Sequence, residues 1–117
     1  MGGRTRGLYV KAFLEALRPM MGLIGRIARE KGFRSAEGRV EIEIVRMHAE
    51  LSQVLDTYSK RNSKSRYLEG FTRRDEALAN LVIRIFDFCD RYHIPLGEAI
   101  LAKIDHNESR PPKGQTV

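Results

Sequence analysis

Apolar positions recur every three to four residues along most of the chain, the spacing of a buried helical face. Residues 8–18 set Val10, Phe13, Leu14 and Leu17 on one stripe. Pro19 follows. Proline is tolerated in a first helical turn and disruptive deeper inside, so Pro19 either opens a new helix or kinks a longer one. Met20–Lys31 reads as helix with Ile24, Ile27 and Ala28 inward, and Gly32 as its stop. The cleanest pattern covers 39–59. There Ile44, Met47, Leu51, Val54 and Tyr58 predict a core stripe, and Glu43, Arg46, Glu50, Gln53 and Thr57 form a polar stripe beside it. Strand-like alternation is confined to an ambiguous Val40–Ile44.

Lys60–Gly70 is polar and basic and reads as a loop. Thr72 with Asp75 three residues on resembles a capping box that opens the next helix. That helix, over 73–92, is apolar round much of its circumference, leaving the narrow polar stripe Glu76, Asn80, Arg84, Asp87 and Arg91. So apolar a helix in so short a chain predicts cover from a second copy. Pro95 opens a last helix to about Ile104, with Leu96, Ala99, Ile100 and Ile104 inward. The expected fold is an all-α bundle of four to five helices, oligomeric. Its parts are a basic N-terminal segment 1–18, with a short helix as one reading of it, a helical domain 19–105 and a polar tail 106–117.

Charge changes this picture at one end. Residues 1–35 carry eight Lys/Arg and two acids, whereas 36–117 carry thirteen of each sign, so the net charge of +6 belongs to the N-terminal segment. A basic arm can meet nucleic acid, an anionic surface or a phosphorylated ligand, or it can be a solvated helix face. No apolar run approaches the roughly 18 residues of a membrane helix, and no signal-peptide pattern is present, so a cytoplasmic location without membrane contact is expected. The single cysteine, Cys89, forms no intrachain disulfide and suits a small buried position. His48, His93 and His106 lack partners at metal-ligand spacing.

Three ordered stretches carry a family resemblance. They are Ile27-Ala-Arg-Glu-Lys-Gly-Phe33, then Met47-His-Ala-Glu-Leu-Ser-Gln-Val-Leu-Asp56, then a series from Glu76-Ala-Leu-Ala-Asn80 to Arg84, Ile94–Ile100, Lys103–Asn107 and Ser109-Arg-Pro111. Over residues 20–113 their order resembles the MazG-like branch of the all-α nucleoside triphosphate pyrophosphohydrolases. The resemblance implies a homodimeric or homotetrameric bundle that converts (d)NTP to the monophosphate and pyrophosphate. It also implies Mg²⁺ or Mn²⁺ held by E-x-x-E and E-x-x-D carboxylates on two facing helices. Residues i and i+3 share a helix face, so such pairs present oxygen ligands to one pocket, where the ions neutralise charge developing on phosphate.

Carried over residue by residue, the resemblance puts Glu50 at the first ligand position, Gln53 at the second, Ala77 at the third and Asn80 at the fourth. Glu50, Gln53 and Asn80 are thus the candidate catalytic residues. Each missing carboxylate near 4 Å forfeits about 4 kcal/mol of gross attraction to a cation at an effective dielectric of ~20. A shifted metal set of Glu50, Glu76 and Glu43 is one reading; pairing of these acids with Arg46, Arg84 and other cations is the other. Lys103, Asn107 and Arg110 are candidate nucleotide-binding residues, because the resemblance brings the matching residues to phosphate and sugar; the alternative is a solvated helix end. Three functions follow as expectations: a weakened pyrophosphohydrolase, an inactive nucleotide- or protein-binding module of the same fold, or nucleic-acid binding through the basic N-terminus.

Overall fold

The computed structural model describes residues 3–34 and 39–113, with residues 3–6 described by their backbone. It contains four helices: α1 (Gly3–Glu30), α2 (Val40–Ser59), α3 (Arg73–Arg91) and α4 (Leu96–Ser109). No strand occurs among the described residues, and Val40–Ile44 forms the first turns of α2. The architecture is therefore all-α.

Of the two readings of Pro19, the longer helix holds: Pro19 lies inside α1, so residues 3–30 form one element. A proline in a helix removes one hydrogen bond; the turns on either side and the packing of Leu17 and Ala28, both buried, carry the helix through. α4 runs on past Ile104 to Ser109, so residues 106–109 belong to that helix and not to the tail.

The helix ends follow local chemistry. Gly32 has φ 72°, the left-handed region open to glycine, and lets the Phe33 N–H reach the Ala28 carbonyl at 2.9 Å. α3 opens with a full capping box: the Thr72 side chain accepts from the Asp75 N–H, and the Asp75 carboxylate accepts from the Thr72 N–H. That second bond, from the Thr72 backbone, is the main reason the Asp75 carboxyl is held below its ordinary pKa. At the other end of α3, His93 takes φ 56°, and the Ile94 N–H returns to the Cys89 carbonyl at 2.9 Å.

α3 lies at the centre, with α2 against one side and α1 against another; α4 rests on α1. Contacts between residue pairs 57 and 74, 50 and 84, and 43 and 91 show that α2 and α3 run antiparallel. The α1–α4 contact is mainly hydrocarbon, with one exposed ion pair, Arg18–Glu98, across it. Leu14 and Leu17 close on Gly97, where an added methyl would come within 2.9 Å of both side chains.

The largest departure from expectation is the facing of α2. Its apolar stripe does not form a core: Ile44 is 42% exposed, Leu51 54% and Tyr58 67%. Its polar stripe turns inward instead, and Glu43 and Thr57 are buried. Ile27 and Ile104, expected inward, are also exposed. Polar–polar pairing between α2 and α3 decides this orientation, because each stripe supplies partners for the other's charges. The buried apolar residues among those described are only Leu17, Ala28, Ala77 and Cys89.

Candidate functional site

The polar stripes of α2 and α3 face each other and are joined by arginines from α3. Arg74 Nε donates to Thr57 Oγ1 and its Nη2 to the Thr57 carbonyl, both at 3.1 Å. Arg84 Nε donates to Glu50 Oε1 at 3.0 Å. Arg91 lies 3.5 Å from Glu43 Oε1, and Arg46 lies at the same distance on the same oxygen. Helical spacing places these groups on one face, and the antiparallel arrangement matches them in order.

Next to these contacts the α2–α3 connection folds back. The Ser65 N–H donates to the Phe71 carbonyl and the Arg73 N–H to the Ser63 carbonyl, at 2.9 and 2.8 Å. Ser65 Oγ donates to Glu76 and accepts from the N–H groups of Tyr67 and Leu68. These bonds fix a basic loop over the helix pair.

A cavity of about 540 Å³ lies between them. Glu50 and Gln53 of α2 line it, with Glu76, Ala77 and Asn80 of α3 opposite. All four positions that the resemblance assigns to metal ligands therefore share one cavity. Lys64, Arg66 and Arg73 also line it. Arg73 pairs with Asp56 at 3.5 Å, while Lys64 and Arg66 have no ion-pair partner among the described residues. A second hollow, about 390 Å³ and lined by Ile24, Ile27, Phe33 and Ile83, adjoins the first through Glu50 and Asn80.

A divalent cation does not fit this set of side chains. Glu50 is engaged by Arg84, and Glu76 accepts from Ser65. Gln53 and Asn80 bring carbonyl oxygens without charge, and Ala77 brings a methyl group. Glu43 does not line this cavity and is held by Arg46 and Arg91. Among the described residues no group of three or more His, Cys, Asp or Glu side chains is placed to hold a metal. Hard divalent ions need several oxygen ligands and some net negative charge; here the nearest free charges are cationic.

Lys103 and Asn107 are exposed on α4, and Arg110 follows its end. α4 packs on α1, and none of the three lines the cavity. Within one chain they are not brought together with Glu50 and Asn80.

The groups that sequence reasoning passed over are Lys64, Arg66 and Tyr67. Their signal was present as a basic loop between two polar stripes, but only the fold-back shows that the loop roofs the cavity.

Behind the site a second ionic cluster fastens the chain after α1. Arg34 Nη2 lies 2.7 Å from Asp87 Oδ1 and 3.1 Å from Asp90 Oδ2. Burial pulls the Arg34 pKa down, but bonding to and attraction by the two aspartates outweigh it, so the net shift is upward. The carboxylate of Asp90 approaches the backbone of α1 at Gly25, where any side chain would overlap it.

No family model matches the chain, and no curated protein or solved structure matches it.

Proposed function

We propose that this protein is a MazG-like nucleotide-binding module whose pocket takes the phosphate end of a nucleotide through cations in place of a bound metal, with hydrolysis lost. The observation that carries this reading is the cavity's charge: Lys64 and Arg66 stand without ion-pair partners among the described residues, while Glu50 is tied to Arg84. Lysine offers a point charge to phosphate, arginine a bidentate fork, and Gln53 and Asn80 neutral amides that donate as well as accept. The adjoining apolar hollow suits a base. Lys103, Asn107 and Arg110 would join such a ligand only from another copy of the chain.

A second copy is part of the proposal. The accessible surface is 9091 Å², against on the order of 6,500 Å² for a compact monomer of this mass. The radius of gyration is 17.4 Å, against about 13 Å expected. The excess surface is the size of an obligate interface, and the outward stripe of Ile44, Leu51, Leu55 and Tyr58 on α2 supplies its apolar centre.

Thermal unfolding with a panel of (d)NTPs, (d)NMPs and pyrophosphate tests the reading. Ligand should raise the melting temperature equally in EDTA and in Mg²⁺ or Mn²⁺, and Lys64→Ala with Arg66→Ala should abolish the rise. Pyrophosphate release that needs Mg²⁺ or Mn²⁺ and disappears in Glu50→Gln would overturn it in favour of a working pyrophosphohydrolase. Sedimentation should show a dimer or tetramer that Leu51→Glu dissociates.

A further inference from the structure

We infer that the α2–α3 connection is a binding surface for single-stranded nucleic acid, one that shares Lys64, Arg66 and Tyr67 with the cavity and extends beyond it to Arg61 and Phe71. Residues 60–74 carry six Lys/Arg and one acid, Glu69. That excess is hidden when charge is averaged over residues 36–117, where the signs cancel. Lys60 and Arg73 share Asp56, and Arg74 is spent on Thr57 and on the face of Tyr58, 3.4 Å from its ring centre. Arg61, Lys64 and Arg66 have no ion-pair partner among the described residues.

Aromatic groups stand among these cations. Tyr67 is 77% exposed and Phe71 56%. Large rings in loops are often exposed because the loop is loose, but this loop is fixed by the Ser65 hub and by the bond from Ser65 N–H to the Phe71 carbonyl. Rings held outward on a fixed backbone lose little further freedom on binding. Lys64, Arg66 and Tyr67 also stand between two hollows, the cavity beside Glu50 and a second of about 630 Å³ formed by residues 64–72, which includes Phe71. A ridge with charge and a ring, open on both sides, suits a ligand that continues past it. A strand offers repeating phosphates for the cations and unpaired bases for the rings. Paired bases present no free faces, so a duplex would use the charges alone.

The same patch is a poor site for a second copy. A two-fold interface sets like residues against like, and here it would bring unpaired cations together. The uncharged stripe of α2 has no such difficulty.

The test is fluorescence anisotropy of the full chain with labelled pyrimidine-rich RNA, DNA of the same sequence, and the matching duplex. Single strands should bind in preference to duplex, with the two single-strand arms reporting whether ribose matters. Affinity should fall with salt on a log–log slope of about −2, for roughly three phosphate contacts. Tyr67→Ala and Phe71→Ala should each weaken strand binding about tenfold. Arg61→Glu, an exposed change, should flatten the salt slope by about one contact. Circular dichroism checks that each variant keeps its helices. Absence of binding at low salt overturns the inference. So does equal binding of duplex and single strand that ignores Tyr67 and Phe71, or binding that ignores the loop and vanishes when Arg4, Arg6 and Lys11 are changed to alanine. Phe71 and Arg61 do not line the cavity. A free nucleotide that binds Phe71→Ala normally while strand binding falls supports both readings; strand binding without nucleotide binding would sink the cavity reading alone.

Discussion

Two of the helix interfaces are built from different material. α2 meets α3 through polar and charged groups: Thr57 with Arg74, Glu50 with Arg84, Glu43 with Arg91. α1 meets α4 mainly through hydrocarbon, with Leu14 and Leu17 closing on Gly97 and the exposed pair Arg18–Glu98 at the edge. Hydrocarbon contact is tolerant of direction and scales with area. Charge pairs are directional and sensitive to the removal of one partner. The difference shows how α2 can turn its apolar stripe away from its own chain: matched charges fix the facing of the helix pair.

The sharpest test of polar against hydrocarbon packing is Arg34→Ala, in the ionic cluster that ties the chain after α1 to α3. It leaves Asp87, whose side chain is 11% exposed, without its cation, and the expected loss is about 3 kcal/mol in denaturant unfolding. Leu17→Ala removes hydrocarbon from the α1–α4 interface and should cost about 2–3 kcal/mol. The two should part in a second substitution: Asp87→Asn, which removes the stranded charge, should recover part of the Arg34→Ala loss and none of the Leu17→Ala loss. Additive losses in both double variants would erase the contrast.

The two close glycines come next. Gly25→Ala sets a methyl into the Asp90 carboxylate, which Arg34 also holds, whereas Gly97→Ala presses only on leucine side-chain ends. We expect about 2 kcal/mol lost for the first and about 1 kcal/mol for the second, by calorimetry. A reversed order would mean that the leucines yield less than the ion pair.

Thr72→Ala removes half of the capping box and should cost about 1 kcal/mol. Because the Asp75 pKa is lowered on folding, its contribution is present above the ordinary aspartate range and lost as pH falls through the lowered value. The melting temperatures of the wild type and Asp75→Asn should therefore converge as the solution is acidified. The smallest change is a gain: His93→Gly relieves a left-handed residue and should add about 0.5–1 kcal/mol. No gain would mean that the His93 side chain contributes at that turn.

Helical periodicity gave the places of α2 and α3, the capping box and the stop at Gly32. It could not give the facing of α2. A stripe such as Ile44–Leu51–Tyr58 says that those side chains seek apolar cover, not whether the cover lies in the same chain. Pro19 left two readings open, and the choice lay in its neighbours; the run of α4 through residues 106–109 had no apolar period to mark it. The cavity's α-helical walls were legible through the family resemblance, which assigned Glu50, Gln53, Ala77 and Asn80 to the ligand positions. Its cations were not, because a loop's fold-back depends on the hydrogen bonds of Ser63, Ser65 and Asn62, and those have no period.

Cys89 is the only cysteine, and it is buried and free. Burial raises its pKa, so little thiolate is present at neutral pH. It sits where α1, α3 and the start of α4 meet, beside Leu14, Leu17 and Leu96. Its small exposure slows attack by a thiol reagent while those helices stay packed, so its labelling rate reports how often they loosen in the unaltered protein. The chain thus carries its own stopwatch for the hydrocarbon half of the fold, readable without a single substitution.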